Sequence, residues 1–184
     1  LIVPGAQTTS GVRLGAQTGQ SLTEFDAAAI GFEVPEVQAA APNLRTGAQV
    51  VAGNVNWAAP VFGTTPEFLE VRDWPLAAGR NLEASEIAGA GKVAILGATV
   101  AEQLFGDADP IDQVLRVKHV PLTVIGVLSR KGQNTAGQDQ DDVVIVPIST
   151  FRKRIQSASG RLLRIGSATV KVREGQSMQR AEED

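Results

Sequence analysis

The pattern of apolar and polar positions is clearest between residues 92 and 147. A short apolar run, Val93–Leu96, ends at Gly97, and both its length and this breaker favour a buried strand over a helix. Residues 98–105 place their apolar side chains at helical spacing on one face, and Gly106 follows where a helix C-terminal cap needs a positive φ. The region is therefore predicted to open with a strand, followed by a helix that ends at Gly106.

Downstream of this helix, the pattern predicts a hairpin and a long polar connection. Val114–Val117 and Leu122–Leu128 are expected to be strands joined by a tight turn near residues 119–121. Residues 129–142 lose all periodicity, and Val143–Val146 then predicts another apolar strand. Polar connections of this length in compact domains are usually functional or mobile.

The N-terminal part predicts a βαββ unit. Leu1–Val3 has the composition of a strand end, and residues 21–24 (Ser-Leu-Thr-Glu) form a capping box at the start of an amphipathic helix that reaches Phe32. Val37–Ala41 and Ala48–Trp57 then read as two strands. The polar, glycine-containing stretch between the first strand and the helix predicts a loop.

The middle of the chain predicts shorter elements. Ala59–Gly63 is a short extended piece, and Pro66 at the first helical position predicts a helix with apolar residues turned inward. Trp74 and Pro75 stop this helix. Residues 76–91 are poorly periodic and predict mostly loop, with at most one helical turn.

The C-terminal part predicts a helix, a strand and a second helix. Ser149 is expected to cap a helix that runs to about Gln156. Ala168, Val170 and Val172 alternate with polar residues, as in a half-buried strand, and Ser177 begins the last helix.

Three stretches of this pattern carry a family resemblance: GKVAILGATVAEQLFGDADPI (91–111), PLTVIGVLSRKG (121–132) and GQDQDDVVIVPISTF (137–151). Together with IVPGAQTTSG, EVPEVQAAAP and VFGTTPEFLEVRDWPLAAGR upstream, they resemble the periplasmic core domain of MacB-type (MacB/FtsX-like) ABC-transporter permeases. The resemblance covers nearly the whole chain in the expected order. One departure is Asp112, which stands where the family usually has glycine.

The resemblance implies an α+β fold with two subdomains. Residues 1–57 plus 148–184 would form a porter-like, βαβ-type subdomain, and residues 58–147 would form an inserted mixed α/β, sabre-like subdomain. It also implies a bacterial inner-membrane protein of which this segment is periplasmic. Both ends of the segment are then expected to lie on the same side, because both continue into membrane helices.

Composition adds two expectations. The sequence contains no apolar run of the eighteen or so residues that a membrane helix needs and no signal-peptide pattern, which predicts a soluble segment excised from a longer chain. Lys and Arg number 17 against 20 Asp and Glu, a net charge of −3. The basic residues concentrate after residue 150, which favours a solvated helix face over a partner or lipid-headgroup surface. Nucleic acid is excluded as a partner by the acidic balance.

The chemistry of enzymes is not visible in this sequence. Cysteine is absent, and the one histidine, His119, falls in a predicted hairpin turn. No nucleophile elbow, zinc helix or phosphate-binding loop is present, so no catalytic, cofactor or metal residue is predicted and ATP is expected on a separate cytoplasmic ATPase domain or subunit. Asp139, Asp141 and Asp142 lack the glycine and the terminal glutamate of a calcium loop. Trp57 and Trp74 suit a core better than a binding groove.

The resemblance, together with the missing catalytic apparatus, implies a non-enzymatic coupling domain of an ABC-type export permease. It would relay ATP-driven motion of membrane helices to periplasmic partners in the export of antibiotics, peptides or lipoproteins. Expected partners are the membrane helices of the same chain, the ATPase, a second permease subunit and a periplasmic adaptor protein. The alternatives are a free-standing periplasmic solute-binding module and a carboxylate-dependent hydrolase, and both require a concave pocket with converging polar groups.

The predicted contact surface is the polar connection from Lys131 to Asp142. It is expected to be exposed and mobile, because it offers many hydrogen-bonding groups and almost nothing apolar to anchor its backbone. The candidate contact residues are Gln133, Asn134, Gln138, Asp139, Asp141 and Asp142.

Overall fold

A computed structural model describes residues 8–9, 12–13, 29–30, 35, 37–156 and 167–172. Ala29 and Ile30 are helical, inside the first predicted helix. The predicted strand at residues 1–3, the remainder of that helix, the last helix and the relative position of the two ends lie outside the described residues.

The described elements begin with a small antiparallel pair, β1 (Thr8–Thr9) and β2 (Val12–Arg13), inside the stretch that was predicted to be a loop. The central part then runs through strands and short helices in mixed order. In chain order these are β3 (Val37–Ala52), β4 (Val55–Thr64), α1 (Glu67–Val71), β5 (Leu76–Gly79), α2 (Ala84–Gly89), β6 (Val93–Leu96), α3 (Ala98–Phe105), β7 (Val114–Val117), β8 (Val120–Leu128), β9 (Val144–Pro147), α4 (Ile148–Thr150, continuing as a π-helical turn over Phe151–Ile155) and β10 (Ser167–Val172).

The strand pairings close into a ring. Strand β3 pairs with β4, followed in turn by β9, β6, β8 and β7, and β7 pairs back with β3. Strand β10 extends the sheet along the first half of β3, and β5 extends it beside β8. Pairings of both directions occur, so the fold is a mixed α/β architecture built around a sheet. Closure leaves few free edges in the ring, which limits unwanted strand addition.

Alternating side chains of the ring strands fill two separate cores. In β6, Ala94 and Leu96 belong to one buried cluster, whereas Ile95 belongs to the other. Successive side chains of a strand point to opposite faces, which explains this division. The first cluster lies inside the ring and is completed by α3 and by the π-helical turn; the second is covered by α1.

Strand β3 is longer than its sequence pattern predicts. It runs for 16 residues without a break and then turns at Gly53 and Asn54 into β4, with Ala52 opposite Val55. Gly53 has a φ of +56°, which glycine adopts without a steric penalty. The prediction of one strand over Ala48–Trp57 is therefore wrong, because it crosses a two-residue hairpin turn of a glycine-asparagine type.

Most other predicted elements are confirmed. The strand Val93–Leu96, the helix that ends at Gly106 and the β7–β8 hairpin are present, although the hairpin turn lies at Lys118 and His119 and the second strand starts two residues earlier. Three details are wrong: β5 was predicted as loop, α2 is longer than one turn, and Ser149 makes no cap, because Pro147 occupies the N-cap position of α4.

The predicted division into two subdomains stays a prediction. Its first boundary, between residues 57 and 58, falls inside β4, and β3 contributes both to the ring and to the pairing with β10.

Asp112 takes a left-handed conformation, which glycine adopts freely. Its φ is +63°, and its backbone N–H donates to the carbonyl of Val124 at 2.9 Å. The departure in the sequence therefore leaves the turn intact at a cost in backbone strain.

Replacing Asp112 with glycine is expected to raise the free energy of unfolding by about 0.5–1 kcal/mol, since relief of strain outweighs the greater freedom of the unfolded chain. Urea unfolding of the segment measures this. The matched control, Gln113→Gly, has no positive φ to relieve and should lower stability by about 0.5–1 kcal/mol. A loss of stability in Asp112→Gly would contradict the prediction.

Candidate functional site

The polar loop, residues 131–142, is folded around a buried carboxylate. Asp141 is only 1% exposed, and its two oxygens accept hydrogen bonds from the backbone N–H groups of Lys131 (2.7 Å) and Gly132 (2.8 Å). Charge-assisted bonds of this kind are stronger than those between neutral groups. Asp141 thereby joins the start of the loop to its end.

Two neighbouring side chains order the remainder of the polar loop. Asp139 accepts from the backbone N–H of Asp141 (2.8 Å) and from the hydroxyl of Thr99 (2.7 Å), which ties the loop to the first turn of α3. The side-chain oxygen of Asn134 accepts from the backbone N–H groups of Ala136 and Gln138. Hydrogen bonds to aspartate and asparagine thus take the place of apolar anchors.

The prediction of an exposed loop is correct for some candidates and wrong for others. Gln133, Gln138 and Asp139 are exposed, whereas Asn134 and Asp142 are half-buried. Asp141 is buried, because its carboxylate satisfies backbone donors that would otherwise lack partners. The assignment of these six residues as a partner contact stays a prediction.

The two tryptophans have separate roles near the polar loop. The indole N–H of Trp57 donates to Asp142 at 2.9 Å, and that of Trp74 donates to the carbonyl of Ser129 at 2.7 Å. Trp74 is 4% exposed and belongs to the second core, as predicted, yet it also reaches the surface of a cleft.

This cleft, of about 510 Å³, lies between the polar loop and the strands β3, β4 and β10. Its aromatic wall consists of Phe62, Phe68 and Trp74, and the first two rings lie 6.1 Å apart between centroids. The facing wall is polar and is formed by residues of the polar loop: Asn134, Gln138, Asp139, Gln140 and Asp142.

Cations line the aromatic wall. The guanidinium of Arg45 lies 5.4 Å from the centroid of Phe62, and that of Arg72 lies about equally near Phe68 (5.9 Å) and Trp74 (6.0 Å). The ammonium of Lys131 is 5.1 Å from the Trp74 ring and donates to the carbonyl of Arg72. Cations placed over aromatic faces are attracted by the ring quadrupole.

Sequence reasoning missed these cations, although a local signal for one of them existed. Arg45 is directly opposite Phe62 in the β3–β4 pair. A two-residue turn at Gly53 and Asn54 requires that register, so recognising the turn would have placed the guanidinium beside the ring.

Positive charges lie close together at the aromatic wall, and two carboxylates, Asp139 and Asp142, lie on the facing wall of the cleft. Burial lowers the pKa of Lys131, and the charge of Arg72 lowers that pKa further, while Asp73 and Asp141 act in the opposite direction. Within the described part of the chain, neither Arg45 nor Arg72 forms an ion pair with a carboxylate.

The described residues contain no group of three or more His, Cys, Asp or Glu side chains arranged to hold a metal ion. The three loop aspartates instead accept protein N–H and O–H groups. His119 lies exposed in the β7–β8 turn, away from these aspartates in sequence. Among the helices of the described segments, none has the length and apolar character required to span a membrane.

The fold defined above is shared with the extracytoplasmic domains of ABC-type transporters. It superposes with a TM-score of 0.74 on the crystal structure of the periplasmic region of MacB from Actinobacillus actinomycetemcomitans, at 24% identity, covering 92% of this chain and 73% of that chain. It also matches the extracellular domain of the noncanonic ABC-type transporter YknZ from Gram-positive bacteria, with a TM-score of 0.69 and 17% identity over 89% of this chain and 78% of that chain. These structural likenesses concern the fold alone.

Sequence relationships then identify the family. The chain belongs to the MacB-like periplasmic core domain family, which it matches over residues 1–184. The macrolide export ATP-binding/permease protein MacB of Syntrophobacter fumaroxidans is 42% identical over 159 residues, covering 86% of this chain and 22% of the relative. The protein of the same name from Rhodospirillum rubrum is 36% identical over 173 residues, or 94% of this chain and 25% of the relative. The chain thus spans about a quarter or less of these relatives, and neither the solute-binding nor the hydrolase alternative is favoured.

Proposed function

We propose that this domain acts outside the cytoplasmic membrane as the coupling domain of an ABC-type export permease. Family membership is the observation that carries the proposal. The parent protein would supply the membrane helices, and a fused or separate cytoplasmic ATPase would supply the driving force. Export of antibiotics, peptides or lipoproteins is the activity that fits relatives named for macrolide and pyoverdine export.

The sheet offers a mechanical basis for coupling. At about 3.3 Å per residue, the 16 residues of β3 span about 50 Å. The first part of the strand pairs with β10, and the second pairs with β4 and β7 in the ring. A displacement applied at the β10 end would reach the ring along one continuous strand, with no loop between them to absorb it.

Side-chain contacts make the β10 end stiffer. Lys171 of β10 forms an ion pair with Asp73, directly after α1, and Gln38 of β3 donates to Glu70 of α1 at 2.9 Å. Helix α1 therefore holds the paired strands β3 and β10 together. Strands β3 and β10 of this block lie within the proposed porter-like subdomain, residues 1–57 plus 148–184, whereas α1 lies within the proposed sabre-like subdomain, residues 58–147.

The polar loop is the proposed contact surface for a partner. Gln133 and Gln138 are exposed, and their amides donate and accept hydrogen bonds. Polar interfaces of modest affinity suit contacts that form and break in each cycle. The proposed partners are a periplasmic adaptor protein or the second permease subunit. Asp141, by contrast, is proposed to shape this surface from below without touching the partner.

The double substitution Gln133→Arg and Gln138→Arg in the full-length parent is expected to reduce ATP-dependent export at least fivefold, because two long cations replace two amides at the contact. Export into inverted vesicles and ATP hydrolysis are measured together. Basal ATP hydrolysis and thermal stability should stay within experimental error, since the side-chain oxygen of Asn134 keeps its two backbone partners and the Gln138 side chain contributes one exposed bond of 3.3 Å from the Asn134 amide.

The matched control is Gln103→Arg on the exposed face of α3. It introduces the same chemical change outside the polar loop and is expected to leave export unchanged. Equal export in the loop variant and in this control would overturn the contact role. A parent protein without any ATP-dependent export would overturn the proposed function itself.

A further inference from the structure

We propose that the cleft between the aromatic wall and the polar loop is a binding site for an amphipathic anion, a molecule that carries a carboxylate or phosphate group beside a flat apolar body. The inference rests on the side chains of the cleft and is independent of the export assignment.

The anionic group is assigned from the guanidinium groups. Arg45 and Arg72 both line the cleft and are both exposed. In the described part of the chain their close partners are aromatic rings, with no carboxylate among them. A guanidinium on a ring face keeps N–H donors available for an oxyanion, which it binds in a bidentate manner. Lys131 is not in the cleft lining, but its ammonium lies 5.1 Å from the Trp74 ring and adds a third positive charge nearby.

The apolar body is assigned from the aromatic wall. Phe62, Phe68 and Trp74 line a space of about 510 Å³, which lies within the range of small-molecule sites. Phe68 and Trp74 are 4% exposed, so the floor of the site is formed by core residues and is held in place by packing. Phe62 is half-buried and offers the accessible ring surface, against which a flat ligand group packs with offset geometry.

Specific polar contacts are available on the remaining walls. Gln138 and Gln140 offer amides from the polar loop, and Asn43 and Thr169, joined by a hydrogen bond of 2.7 Å, face them from β3 and β10. Two carboxylates, Asp139 and Asp142, also line the loop wall, and both accept hydrogen bonds from protein donors. A ligand in the cleft would therefore touch both the loop and the strand that carries the proposed displacement. We expect bound ligand to slow hydrogen exchange in the loop.

The test uses the full-length protein in nanodiscs without nucleotide and three probes: 2-naphthoate, 2-naphthyl phosphate and the neutral 2-naphthylmethanol. At least one anionic probe is expected to bind saturably, at least tenfold more tightly than the neutral probe. A preference between the two anions identifies the carboxylate or the phosphate as the natural group. Equal binding of all three probes, or no saturable binding, would overturn the proposal.

Variants locate the binding independently of the probe comparison. The double substitution Arg45→Gln and Arg72→Gln should weaken anion binding at least tenfold and leave the neutral probe unaffected. The control Arg116→Gln removes an exposed guanidinium from β7, outside the cleft, and should change nothing. Unchanged anion affinity in the double variant would overturn the site. Export is measured separately from probe binding. A negative binding result would therefore leave the proposed export function intact, and a negative export result would leave the proposed binding site intact.

Discussion

Replacing Phe151 with alanine is expected to lower the free energy of unfolding by about 3–5 kcal/mol, the usual cost of removing a buried phenyl ring. Phe151 is 2% exposed and begins the π-helical turn that completes the first core. The loss of stability has two parts: the transfer free energy of the removed ring atoms and the cost of the cavity that they leave. Urea unfolding of the segment measures it.

The same contact can be tested from the opposite side. Phe151 packs so closely on the backbone of Gly63 in β4 that an added Cβ there would lie 2.4 Å from the Phe151 Cβ. Gly63→Ala is therefore expected to be destabilising by overpacking, by about 1–3 kcal/mol. In the double variant the contacts of the new methyl group with Cγ (2.6 Å) and Cδ2 (3.0 Å) of Phe151 are removed, whereas the contact with the Cβ that alanine retains persists, so the clash is relieved in part. The combined loss should then be smaller than the sum of the two single losses.

Two outcomes would contradict this account. A loss below about 1 kcal/mol in Phe151→Ala would mean that the ring contributes little to the first core. Strict additivity of Phe151→Ala and Gly63→Ala would mean that the two positions do not share a contact. The isolated control Gly89→Ala has no atom within 4 Å of the added Cβ and should not be destabilised by overpacking.

The elements that sequence predicted well are those whose own residues determine them. Val93–Leu96 and helix α3 combine a strong local apolar pattern with a glycine at each boundary, so no distant contact is needed to define them. Strand β5, in contrast, has exposed, small side chains and exists because it pairs with the end of β8. Such a strand carries no local pattern to detect.

The closure of the ring depends on non-local pairing in the same way. Val50 and Val51 of β3 meet β7 more than sixty positions later in the chain. Apolar periodicity reports that a strand is buried but not which strand lies beside it. The family resemblance predicted the mixed fold correctly, whereas the local pattern missed the hairpin turn that connects β3 and β4.

The position of the polar connection was predicted, but its construction was not. The loss of periodicity at residue 129 matches the end of β8 at Leu128, and β9 begins at Val144, one residue after the predicted start. A run such as Asp139-Gln-Asp-Asp142 reads as solvated, because sequence does not show which carboxylate meets backbone donors. Only the folded loop reveals that Asp141 is turned inward, towards the N–H groups of Lys131 and Gly132.

Replacing Asp141 with alanine is expected to cost about 2–4 kcal/mol, because two backbone N–H groups lose a charged acceptor at a buried position. Asp141→Asn retains one acceptor oxygen and should cost about half as much. Reversing all three loop aspartates to lysine is likewise expected to lower the melting temperature clearly, chiefly through the loss of the Asp141 carboxylate.

Urea unfolding and hydrogen exchange together separate this anchor from a general charge effect. The matched control, Asp107→Ala, removes an exposed carboxylate after α3 and should stay within about 0.5 kcal/mol of the wild type. In Asp141→Ala, the amides of Lys131 and Gly132 should exchange markedly faster, because their acceptor is gone. Slow exchange of these amides, or a stability equal to that of the control, would show that the loop is held by other contacts. Fast exchange confined to the loop would instead establish Asp141 as the residue that holds the proposed contact surface in shape.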